Sequence, residues 1–205
     1  MATGVFVSFD GIDGAGKSTQ IELLEKRFQS QGRDTKIFRD PGGTALGEAL
    51  REILLHRKEI PLCMTSEMLI YMASRAQLVR QEIQPHLESG GVVISDRYLL
   101  ANIVYQGHAG GLSVEDIRSV GQIATGGLDP VRTFVLDLPA DEAAKRLSGE
   151  RDRLESRGLD FMQRVRDGFL AEAEHLSGSV VIDASGTVEE IHQAVIKPLR
   201  DAGLL

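Results

Sequence analysis

Tryptophan is absent, cysteine occurs once and aromatic residues make up 5% of the 205-residue chain. With only Cys63 available, an intrachain disulfide is excluded, so packing alone must hold the fold. A single thiol also fits a reducing compartment, and the cytoplasm is the expected location. Cys63 lies between apolar Leu62 and Met64, which predicts a small core residue. No apolar run approaches the roughly 20 residues of a membrane span. No basic region precedes the first apolar run, and that run ends in glycines, so no signal peptide is expected. Positive charge is also in deficit: 23 Lys and Arg against 30 Asp and Glu give a net charge of -7. That balance argues against a protein that coats nucleic acid, though not against an anionic ligand in a locally basic cleft. His56, His86, His108, His175 and His192 show no metal-ligand spacing. No repeat or low-complexity tract occurs.

What is present is an ordinary apolar fraction, 42%, enough for a full core, and 22 glycines. Residues 5–9 read as a buried strand, bounded by Gly4 and Asp10-Gly11. Helical spacing follows over 17–29, through Ile21, Leu24 and Phe28. "TKIFRD" is a short strand leading into the loop and helix of "PGGTALGEALREILL". A long helix is expected over 65–88, a strand in "GGVVISD", and helices near 100–107 and 113–125. "RTFVLDLP" predicts a strand, 141–148 and 160–176 helices, "GSVVIDA" the last strand and 188–199 the last helix. Strands that alternate with helices predict a parallel sheet covered on both faces, because parallel strands need crossover connections. Ligands of such sheets bind beyond the strands' carboxyl ends. Those ends carry residues 10–18, 39–43, 96–97 and 183–185.

Three glycines fall within six residues at the first of these ends. Gly11-Ile12-Asp13-Gly14-Ala15-Gly16-Lys17-Ser18 fits G-x-x-x-x-G-K-[ST], lies between strand and helix, and runs on into Thr19. Glycines let backbone N–H groups turn inward where side chains would block a phosphate. The following helix adds its positive end. The expected ligand is therefore a nucleoside triphosphate, with residues 11–19 around its phosphates. Lys17 supplies positive charge there. Ser18, with Asp96 at the end of "VVISD", is the expected Mg²⁺ pair. No Asn-Lys-x-Asp motif appears, which weighs against a guanine-reading switch. The chain length favours a small-molecule phosphotransferase over a motor.

"FDGIDGAGKST", "RDPGGTALGEALR", "YMASRAQLV", "SDRYLLANIVYQG" and "GERDRLESRGLDFMQRVRDGF" occur in that order. Together they resemble the thymidylate kinases of bacteria, over nearly the whole chain. The resemblance implies a P-loop nucleoside monophosphate kinase fold: a five-stranded parallel sheet flanked by helices on both faces, forming one domain over 1–205 with a short lid at about 149–160. It implies transfer of the γ-phosphoryl of ATP to dTMP with Mg²⁺, in a homodimer, with no nucleic-acid or membrane partner. Lys17, Arg97, Asp13, Arg151 and Arg153 are the implied catalytic residues. Arg153, then Arg151, are the lid arginines that compensate for Gly14, where one group of these kinases has a P-loop arginine. The implied dTMP set is Asp13, Arg39, Pro41, Tyr71, Arg75, Arg97, Asn102, Tyr105 and Gln106. Within it Tyr71 stacks on thymine, Arg75 reaches a base carbonyl and Tyr105 crowds the sugar's 2′ position.

Four positions depart from the commonest pattern: Asp10 and Asp40 where glutamate is frequent, Ala101 where many relatives have serine, and Met72. They leave the phosphate chemistry in place and leave thymine-versus-uracil selectivity open. A nucleotide kinase with another acceptor base and a regulatory module that binds nucleotides without turnover are the competing readings.

Overall fold

The computed structural model describes residues 4–146 and 158–205. Five strands form one sheet: β1 (Val5–Asp10), β2 (Thr35–Arg39), β3 (Val92–Asp96), β4 (Arg132–Asp137) and β5 (Ser179–Asp183). Their order is β2-β3-β1-β4-β5, and every pairing is parallel. The helices are α1 (Lys17–Gln29), α2 (Ala45–Leu55), α3 (Met64–Leu78), α4 (Gln84–Glu88), α5 (Leu99–Asn102), α6 (Val114–Thr125), α7 (Ala140–Arg146), α8 (Leu159–Ala173) and α9 (Val188–Asp201). The chain thus alternates between strand and helix, as its apolar periodicity predicts.

β1 is buried at all six positions, which suits a central strand covered on both faces. Its side chains alternate between two cores. Val7 and Phe9 pack with Leu24 and Phe28 of α1 and Val195 of α9. Phe6 joins Val93, Leu78 and Ile83 in the other. The sheet's outer strands are less apolar and less covered: Ile37 of β2 is 37% exposed and Val181 of β5 47%.

Two expected helices are not uniform. Between α3 and α4 lies a π-helical turn, Val79–Ile83. Pro85 stands at the start of α4, and a proline there has no N–H and crowds the carbonyl four residues back, so the wider turn accommodates it. A second π-helical turn, Ile103–His108, continues α5, with the Ala109 N–H donating to the Val104 carbonyl at 2.9 Å. This turn carries Tyr105 and Gln106.

Cys63 corrects the sequence expectation, because it is exposed. It caps the N-terminus of α3, its sulfur accepting the Ser66 N–H at 3.5 Å. The cap precedes the buried stripe of α3, so its apolar neighbours in sequence do not carry it inward. No helix among the described residues is long and apolar enough to cross a membrane.

Candidate active site

Parallel strands bring their carboxyl ends to one edge. There β1 turns at Gly11, whose φ is +126°. A Cβ at this position would lie 2.5 Å from the Leu136 carbonyl oxygen, so β4 requires glycine here. The loop ends at Gly16, φ +93°, which enters α1 with no side-chain cap. The N–H groups of the first turn of α1 are left for an anion. Lys17 is 7% exposed. Its Nζ donates to the carbonyls of Gly11 at 3.1 Å and Ile12 at 3.0 Å, and lies 3.7 Å from Asp13 Oδ1. Burial, with the charge of Arg97 added, lowers its pKa. Ser18 and Thr19 are exposed on the cavity wall, whereas Ile12 and Ala15 are buried in the core beneath the loop.

Arg97 follows β3 with φ +71°, a left-handed conformation that is costly for a residue with a Cβ. Its backbone N–H donates to the Phe9 carbonyl at 2.9 Å. The guanidinium donates to Gly11 O at 3.0 Å, Asp13 Oδ1 at 2.6 Å and the Tyr105 hydroxyl at 3.2 Å, and lies over the Tyr105 ring. Burial alone would raise the Asp13 carboxyl, but the charges of Arg97 and Lys17 and the hydrogen bond from Arg97 outweigh it and hold the group at about 2. Asp13 is therefore a fixed negative charge between two cations.

Asp10 and Asp96 end the neighbouring strands β1 and β3. Burial pushes Asp10 up to about 7, against the opposing charges of Arg97 and Lys17. Both of its carboxylate oxygens, and one of Asp96, are buried with no hydrogen-bond partner among the described residues. Such acceptors need a cation or its bound water. A hydroxyl at Ser18 and carboxylates at strand ends are the hard oxygen donors that suit Mg²⁺, which takes one or two carboxylates with phosphates and water. These residues fit that ion.

The second wall is built from β2 and α3. Arg39 ends β2, and Pro41 and Tyr71 line the cavity beside it. Arg75 is 1% exposed. Its Nε donates to Asp40 Oδ2 at 2.5 Å, Nη1 meets the Met72 sulfur at 3.2 Å and Nη2 donates to the Tyr98 carbonyl at 3.1 Å. A guanidinium has five N–H donors, so two have no partner among the described residues and remain for a ligand. Asn102 and Gln106 complete the wall. Asn102 Nδ2 donates to Gln106 Oε1 at 2.8 Å, and Gln106 Nε2 donates to Glu67 Oε1 at 2.9 Å.

One cavity of about 700 Å³ joins these parts: the loop from Asp13 to Thr19, Arg39 and Pro41, Tyr71 and Arg75, Asp96 and Arg97, and Asn102, Tyr105 and Gln106. Gly11, Ile12 and Ala15 lie outside its lining. Arg151 and Arg153 lie outside the described residues. Arg51 and Arg146 also line the cavity, unforeseen from the sequence, as does Asp40. Arg51 Nη1 donates to the Pro41 carbonyl at 2.8 Å. Its place in "ALGEALR", one turn from the end of an amphipathic helix beginning at the loop, was the available signal. A larger depression, about 930 Å³, lies by the amino ends of β1 and β4, where its charged lining residues are Arg80, Glu88 and Asp129. That mixture offers no concentrated positive charge.

A family model described as thymidylate kinase matches residues 9–195. A thymidylate kinase of Rhodopirellula baltica is 44% identical over 193 residues, 94% of this chain and 78% of its own. One of Caldanaerobacter subterraneus subsp. tengcongensis is 43% identical over 200 residues, 97% of this chain and 96% of its own. One of Kosmotoga olearia is 42% identical over 196 residues, 94% of each. Likeness of this extent reaches from the phosphate loop past the last strand and leaves no part of the cavity outside it: the chain belongs to the thymidylate kinase family.

Proposed function

We propose that the chain transfers the γ-phosphoryl group of Mg-ATP to dTMP, giving dTDP and ADP. The observation that carries the reading is the shared cavity, in which a phosphate loop and a nucleoside-sized wall face each other across Arg97 and Asp13. In the reaction an oxygen of the dTMP phosphate forms a bond to the γ-phosphorus as the bond to the bridging β–γ oxygen breaks. The acceptor is already an anion near neutral pH, so positioning and charge neutralisation matter more than a general base.

In this reading the backbone of residues 11–19 and the side chain of Lys17 hold the donor phosphates. Arg39 and Arg97 hold the acceptor phosphate, because guanidinium forks match phosphate oxygens. Asp13 keeps Arg97 in place and faces the sugar. Tyr71 gives the base an aromatic face, Arg75 its two spare donors, and Tyr105 narrows the space beside the sugar. Ser18 and Asp96 would hold Mg²⁺, which when bound offsets charge on the transferring phosphoryl oxygens. Arg151 and Arg153, within a lid at about 149–160 of a single domain over 1–205, supply further positive charge to an acidic protein. The homodimer belongs to the same reading. Leu69 on α3 is 48% exposed and Ile123 on α6 is 83% exposed, apolar side chains that a partner would cover.

The test is product formation with ATP, Mg²⁺ and each of dTMP, dUMP, dCMP and AMP. Fastest turnover with dTMP is expected. A preference for AMP or dCMP overturns the assignment, and tight binding of ATP and dTMP without turnover makes the chain a regulatory module.

A further inference from the structure

Glu67 is a buried acid that lies outside the cavity lining, 2% exposed in the first turn of α3. A helix start suits an acidic side chain. A carboxylate accepts hydrogen bonds and does not donate, whereas a primary amide does both. Glu67 Oε1 therefore decides which end of the Gln106 amide faces it. The nitrogen must, and does, at 2.9 Å. Gln106 Oε1 is then turned towards Asn102, where it takes the Asn102 Nδ2 proton at 2.8 Å. The two amides are 1% and 2% exposed, so neither can exchange its partner for water. The end of this relay is Asn102 Oδ1, which has no hydrogen-bond partner among the described residues. Reversing Asn102 would set two carbonyl oxygens against each other, and reversing Gln106 would set an oxygen against the carboxylate.

We propose that Glu67 is a positioning residue for base selection. Through Gln106 it fixes the Asn102 carbonyl oxygen as an acceptor for the N3–H of a 2,4-dioxopyrimidine. The inference rests on the dTMP kinase reading and adds to it a residue that does not touch the nucleotide. Thymine and uracil carry a proton on N3, and cytosine carries a lone pair there. An acceptor locked against a lone pair leaves both groups unpaired in a buried wall, which is how a site rejects a near-isostere strongly. Arg75, on the same helix as Glu67, brings donors for the flanking carbonyl oxygens. Together these groups match an imide edge.

The experiment compares kcat and KM for dTMP and dCMP, at saturating Mg-ATP, in wild-type protein and in Glu67→Gln, Glu67→Asp and their thermal melts. Glu67→Gln replaces the obligate acceptor with a group that also donates, so the relay can run in either sense. The ratio of kcat/KM for dTMP over dCMP should fall at least about tenfold, chiefly through KM for dTMP, with KM for ATP and the melting temperature near wild type. Glu67→Asp keeps an acceptor and should recover part of the ratio. An unchanged ratio, dCMP turnover still undetectable in Glu67→Gln, or a parallel loss for both nucleotides with a lowered melting temperature overturns the proposal. A second measurement needs no variant. In wild-type protein the Gln106 side-chain amide protons should show NOEs to the Glu67 methylenes, and NOEs to the Asn102 side chain alone overturn the relay. Wild-type protein that makes no dTDP refutes the underlying kinase reading instead, whatever the relay does.

Discussion

Arg97 holds a left-handed backbone with φ +71°, at a cost of about 1–3 kcal/mol, because the sheet and the loop both grip it. Its neighbour across the cleft, Asp13, is the residue whose titration the structure links most plainly to folding. Its folded pKa of about 2 lies below the ordinary 3.8, so it stabilises the protein above pH 3.8, and that contribution is lost as pH falls through about 2. A third of the side chain is exposed, so solvent screening trims the effect to on the order of 1 kcal/mol. Asp13→Asn should flatten the acid limb of the stability curve between about pH 4 and pH 2, read by denaturant unfolding across that range. Acid limbs that run parallel in the two proteins would show that the carboxylate does not couple Arg97 to the fold. The role of Asp13 in that pairing was only partly legible. Its position in the loop was plain from spacing, while its contact with a residue 84 positions away was not.

At the scale of elements, spacing told most of the story. α1 was marked by Ile21, Leu24 and Phe28 at helical intervals, and it spans Lys17–Gln29 as expected. β3 was marked by a β-branched run after paired glycines. The π-helical turns were not legible, because hydrophobic periodicity does not register one wider turn inside a long helix, although Pro85 was a local sign of the first. Cys63 was misplaced for a related reason: apolar neighbours in sequence do not say where a helix begins. The junction of β1 with the phosphate loop is the most demanding element boundary. Gly11→Ala forces a Cβ to within 2.5 Å of the Leu136 carbonyl oxygen at a φ of +126°. The variant should lose about 1–3 kcal/mol of stability and raise KM for ATP, as measured by denaturant titration and steady-state kinetics. Unaltered stability would mean that β4 does not constrain the loop.

At the scale of the whole molecule, the fold solves an electrostatic problem. A chain of net charge -7 must hold two phosphate-bearing ligands side by side. It does so by turning Lys17, Arg39, Arg51, Arg97 and Arg146 towards one cavity at the carboxyl edge of the sheet. The P-loop and the Arg97 segment were readable because their residues are contiguous. Arg51, Arg146 and the Glu67 relay were not, since their convergence depends on how α2, α3 and α7 meet the sheet. The most direct test of the account is the fate of labelled phosphate when ATP carrying ³²P at the γ position is mixed with dTMP and Mg²⁺. The label should appear in dTDP in step with ADP, and Lys17→Ala should slow its appearance at least about a thousandfold. Release of the label as free phosphate, or transfer that proceeds equally well without Lys17, would contradict it.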